Sequence, residues 1–224
     1  MNAMTPYKAA LRGALLTLLT LFGGLLAGLV VGDLVFHLIP GSSIQDVKLG
    51  HVAIAALPAL LGFLAGGAAW GVQMGRLAGN TETRRLSLAG MLGFAPVTIL
   101  LAIGLGLLEP AIVGYLGARG QPVHRVFTLL FVPSAFIIAG VSAWVIGRGL
   151  GSPKLARSLF WQVGLTAALT FLVVNMLMES LGWVIGAPNA AERATMLTVL
   201  ALGIITAAIT SGAVMGWKLT GKKV

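Results

Sequence analysis

The sequence predicts an all-α polytopic membrane bundle: six transmembrane helices, built as three parallel helical-hairpin repeats of about 73 residues. Three observations lead there. Hydrophobic residues make up 58% of the 224 and charged residues 9%, against roughly 45–50% and about 25% in soluble domains. Six stretches are long enough to cross a bilayer and carry no Asp, Glu, Lys, Arg or His. Marker residues then recur at nearly constant spacing along the chain.

The six charge-free stretches are Gly13–Gly32, Val52–Gly75, Leu86–Leu108, Val126–Gly147, Ser158–Met178 and Ala194–Trp217, of 20 to 24 residues each. A helix needs about 20 apolar residues to cross a ~30 Å hydrocarbon core. A membrane β-barrel would show ten-residue alternating segments, and none is present. The first stretch follows Lys8 and Arg12 but is too long for a signal-peptide core and lacks a small-x-small cleavage site, so it reads as an uncleaved span. The whole chain, 1–224, reads as a single transmembrane domain.

Loop charge predicts the orientation. With both termini cytoplasmic, that side holds Lys8, Arg12, Arg76, Arg84, Arg85, Arg148, Lys154, Arg157, Lys218, Lys222 and Lys223. The other side holds only Lys48, Arg119, Arg125 and Arg193. This is a positive-inside pattern for a multi-pass protein of the plasma (inner) membrane. The net charge of +9 is accounted for by topology, and no nucleic-acid partner is expected. The lipid bilayer is the expected partner, with a homo-oligomer or a partner membrane subunit as further possibilities.

The repeat is read from several sets of residues. Arg12, Arg85 and Arg157 open the odd helices, and Trp70, Trp144 and Trp217 lie near the ends of the even ones. Ala65-Gly66-Gly67-Ala68-Ala69-Trp70 matches Ala139-Gly140-Val141-Ser142-Ala143-Trp144, and Gly75-Arg76 matches Gly147-Arg148. Fixed-period similarity marks a repeat architecture. The units are about 8–79, 80–151 and 152–224. Evenly looped six-helix proteins also space belt tryptophans and inside arginines quasi-periodically, but that does not produce the shared Ala-Gly-x-x-Ala-Trp string. Two-helix units re-enter the membrane in the same sense, so the repeats are parallel about an axis along the membrane normal.

Three acids, Asp33, Glu109 and Glu179, close the charge-free runs of helices 1, 3 and 5. Ionisable groups at that depth usually face the bundle interior or a watery cavity. A repeat would set them on one ring, where carboxylates attract cations. The plainer reading is that they meet water or pair with the nearby arginines. Asn175 is a further transport candidate, and equally suits helix–helix hydrogen bonding. Pro58, Pro96 and Pro133 are expected to kink helices 2, 3 and 4 by removing a backbone donor. The glycine pairs Gly24/Gly28, Gly62/Gly66, Gly67/Gly71 and Gly212/Gly216, each four residues apart, allow close backbone approach.

His37, His51 and His124 share the acidic side and are weak metal candidates, since imidazole with carboxylate suits a divalent metal. Their spacing matches no zinc signature. No cofactor is expected otherwise. The chain has no cysteine, and the sequence signatures of serine nucleophiles and dinucleotide sites are absent, which argues against an enzyme. The leading expectation is a transporter or channel moving an ion or small solute along a pseudo-threefold axis. The alternatives are a non-catalytic membrane subunit or scaffold of a larger complex, and an outer-face metal-dependent membrane enzyme.

Overall fold

A computed structural model describes residues 5–38, 49–117, 119, 123–180 and 190–220. Among the described residues the chain is all helix, with no strand. The first rod is α1 (Pro6–Thr17), a π-helical turn (Leu18–Phe22) and α2 (Gly23–Leu38) in direct succession. Five more rods follow: α3 (Leu49–Leu77), α4 (Thr83–Gly117), α5 (Val123–Gly149), α6 (Pro153–Ser180) and α7 (Ala190–Thr220). Five of the six contain a stretch long and apolar enough to cross a membrane among the described residues: Pro6–Leu34, Thr83–Leu101, Leu130–Gly149, Pro153–Ser180 and Thr198–Thr220.

Local chemistry sets the helix ends. Pro6 occupies the first turn of α1, and Thr5 caps it by accepting from the Lys8 N–H at 3.5 Å. This uses proline's missing N–H where none is needed. α3 and α5 end in the same way. Gly79 (φ 77°) and Gly151 (φ 79°) take the left-handed conformation. The next amide reaches back five residues to a carbonyl: Asn80 N to Gly75 O at 3.0 Å, and Ser152 N to Gly147 O at 3.2 Å. This is the glycine-closed helix end that satisfies orphan carbonyls. Arg76, Arg148 and Lys218 lie in the last turns of α3, α5 and α7, where a cation complements the helix dipole.

Each rod packs on the next in sequence, and α7 closes the ring against α1. Glycine makes several of these seams. A Cβ added at Gly24 would lie 2.8 Å from Gly66 Cα, and one at Gly62 would lie 2.8 Å from Gly28 Cα. At Gly71 it would sit 2.8 Å from Gly90 Cα, and at Gly13 2.9 Å from Gly216 Cα. The expected glycine pairs therefore do bring backbones together. Their partners Gly13 and Gly90 lie outside those pairs.

The faces are sorted by size rather than polarity. On α6 the buried stripe Leu155, Leu159, Val163, Ala167, Phe171 and Asn175 advances four residues at a time. Trp161, Leu165, Leu169, Val173 and Leu177 form the exposed stripe. Large apolar side chains pointing outward on every side are what a hydrocarbon solvent permits and water penalises. One buried apolar cluster joins Met74, Ile146, Leu155, Leu159, Met215 and Leu219. These lie at the bundle end where Arg76, Arg85, Arg148, Arg157 and Lys218 gather, and there the Arg85 guanidinium donates to the Arg148 carbonyl at 3.1 Å.

Two features depart from the sequence expectation. The first rod is not a uniform α-helix, because the π-turn interrupts it. The three tryptophans also differ in environment. Trp144 and Trp217 are exposed beside Arg148 and Lys218, whereas Trp70 is 4% exposed and points inward.

Candidate functional site: an apolar cavity on the bundle axis

Inside the ring, next to the packed end, all six rods line one cavity of about 380 Å³. That volume falls in the ~300–1,000 Å³ range of small-molecule sites. Five rods each contribute a phenylalanine: Phe22, Phe63, Phe94, Phe131 and Phe171. Two pairs of these rings are in contact, Phe63 with Phe94 at 4.8 Å and Phe131 with Phe171 at 6.1 Å between centroids. Small residues such as Ala135, Ala139, Ala207 and Ala208 leave the space that the rings surround.

Among the described residues, the cavity wall contains no charged residue, histidine, asparagine or glutamine. Its polar atoms belong to Thr17, Thr98, Ser134, Ser142, Ser211 and the Trp70 indole. Each hydroxyl already donates to a helix carbonyl. Thr17 donates to Gly13 O (2.8 Å), Thr98 to Phe94 O (2.8 Å), Ser134 to Leu130 O (2.7 Å) and Ser211 to Ala208 O (3.1 Å). Ser142 lies 2.6 Å from Ile138 O and 3.0 Å from Gly93 O, on the neighbouring helix. The Trp70 indole N–H donates to Thr17 Oγ1 at 3.0 Å. Gly212 makes room for that hydroxyl, since an added Cβ would collide with Thr17. The π-turn begins at the next residue, Leu18. Single π-turns inside α-helices are frequent at functional sites.

The residues singled out from sequence lie elsewhere. Asp33 and Glu179 are exposed, and neither lines the cavity. The acids also sit at unequal distances from their helix ends. Asp33 is five residues before Leu38, Glu109 eight before Gly117, and Glu179 one before Ser180. Glu109 belongs to α4, with its side chain outside the described ones. His37 pairs with Asp33 one turn away, Nδ1 to Oδ1 at 3.6 Å, on the exposed face of α2. His51 and His124 belong to the first turns of α3 and α5, and their side chains too lie outside the description. Among the described residues, no three metal-ligating side chains come together.

Pro58 and Pro133 are accommodated inside α3 and α5, and Pro96 lies within α4. None of the three lines the cavity. Asn175 is buried and donates to the Phe171 carbonyl at 2.8 Å, so it braces a wall residue from behind. Sequence reasoning missed the wall itself. The available signal was a hydroxyl or phenylalanine set among small residues in each charge-free stretch. Compared with protein-family models, with curated proteins and with solved structures, the chain matches none.

Proposed function

We propose that this chain is a six-span integral membrane protein that carries a small solute along its axis, as a transporter or channel. The supporting observation is the cavity, which lies on the axis and draws its wall from all six rods. α3, at 29 residues, supplies the sixth span, since at 1.5 Å per residue it measures about 43 Å. The basic residues gathered at the end that holds the start of α1 and the finish of α7 support cytoplasmic termini in a plasma (inner) membrane. The matching glycine-closed ends of α3 and α5, at positions 79 and 151, support parallel repeats over 8–79, 80–151 and 152–224. The exposed leucines support lipid as the surrounding partner.

The scaffold reading is weaker. Its glycine-lined faces are used within the chain, Gly13 against Gly216, Gly24 against Gly66 and Gly71 against Gly90, which leaves them unavailable to a partner.

The chain lacks cysteine, so an introduced thiol is unique. Ser134→Cys and Ala208→Cys, in sealed vesicles, are to be treated with a small uncharged thiol reagent applied from either face. A transport path makes at least one of these positions react. If neither reacts from either side in folded protein, the axis is closed and the transport reading falls.

A further inference from the structure

The composition of the wall says more about the occupant than about the path. We infer that the cavity binds an uncharged, hydrocarbon-rich molecule and excludes ions, an inference that rests on the transport reading for the site's purpose but not for its chemistry. Among the described residues, every side-chain donor on the wall is already engaged. The Trp70 indole is held by Thr17, and the hydroxyls of Thr17, Thr98, Ser134, Ser142 and Ser211 are held by helix carbonyls.

Among the described wall residues an anion would find no free donor, and a cation no carboxylate. Moving a charge from water into such a space is prohibitive without a partner. A polar neutral solute would surrender its water hydrogen bonds and recover few, because only hydroxyl lone pairs remain on offer. Hydrocarbon gives up nothing of that kind, and apolar cavities in proteins stay dry and accept apolar guests. Five phenylalanine rings supply a polarisable wall, and such rings gain from close contact with hydrocarbon or aromatic guests. The basic end is closed by Met74, Ile146 and Met215, each 0% exposed, so the guest does not enter past the arginines in this state.

Such a guest has two possible sources: the acyl chain of a membrane lipid, or a free apolar solute. Trp70 reports on both, because it borders the cavity and is 4% exposed. The full-length protein is reconstituted in vesicles, and the Trp70 signal is taken as the fluorescence difference between wild type and Trp70→Phe. One arm uses phospholipid brominated on its acyl chains. A second uses unbrominated vesicles with added 1-bromododecane. A third adds iodide or caesium ions from both sides.

Bromocarbon quenching of Trp70 that is lost in Ala208→Phe is the expected result, and the arm that produces it identifies the source. Helical circular dichroism and monodisperse elution check that the filled variant is folded, and Ala208→Leu replaces it otherwise. The inference is overturned if neither bromocarbon quenches, if quenching survives the filling, or if iodide or caesium quenches and filling abolishes it. A thiol at position 134 or 208 that reacts while bromocarbons fail to quench leaves the path standing and removes only this occupant. If both experiments fail, site and path fall together.

Discussion

The two halves of the bundle that meet near Trp70 are built from nearly the same residue types and behave as opposites. Below Trp70, toward the arginines, Met74, Ile146, Leu159 and Met215 close the interior, with glycine seams drawing the rods together. Above it the α2–α3 seam continues through Gly28 and Gly62, but phenylalanines and alanines face the axis and leave about 380 Å³ open. Polarity does not distinguish the halves. The difference lies in where small residues point. Glycines at the seams pull backbones together, whereas alanines facing the axis leave a void that only a guest can fill. One end supplies rigidity and the other supplies room.

Breaking the closed half gives the largest expected effect. Gly71→Leu drives a side chain into the Gly90 backbone and should destabilise by about 3 kcal/mol or more, the upper range for overpacking, because backbone cannot yield as a side chain does. Thermal unfolding in detergent is the measurement. A change near zero would mean that the α3–α4 seam is not close-packed.

A smaller effect belongs at the junction. Trp70→Phe removes the indole donor to Thr17, whose own donation to Gly13 survives. The expected cost is about 1 kcal/mol, that of one intramolecular hydrogen bond. The same unfolding measurement checks it, and a cost as large as that of Gly71→Leu would make Trp70 part of the closed half.

The smallest effect is expected at the acids. Among the described residues, Asp33 pairs with an exposed histidine at 3.6 Å, and exposed pairs contribute less than about 1 kcal/mol. Asp33→Asn and Glu179→Gln should leave unfolding unchanged, and the thiol reactivity at positions 134 and 208 as well. Loss of that reactivity in either variant would tie the acids to the cavity and restore a cation route.

Much of the fold was legible because lipid imposes one coarse rule. Charges cannot sit in the spans, so Arg12, Arg76, Arg85 and Arg148 marked their ends. Glycine spacing likewise gave the seam at Gly24 and Gly62, since only close backbone contact rewards two glycines four residues apart. The cavity left no comparable mark. Phe94 inside and Leu92 outside are both apolar, and in a membrane the interior and the solvent ask for the same chemistry. Trp70 illustrates the limit. Its position near a helix end fits an interfacial belt, but its direction is set by the helix phase that packs Gly71 on Gly90. The acids drew attention because charge is conspicuous in such a sequence, and conspicuous is not the same as central.

The π-turn at Leu18–Phe22 has a geometric consequence for the whole ring. In an unbroken α-helix, at 100° per residue, the eleven residues from Gly13 to Gly24 amount to three full turns plus about 20°. Both glycines would then look the same way. Yet Gly13 lies against α7 and Gly24 against α3, the two neighbours on either side of the first rod. One residue of slack, taken up in a single wide turn, offsets the upper half by about 100° and lets one rod clasp two others. The circle of six thus closes through a local miscount in its first member.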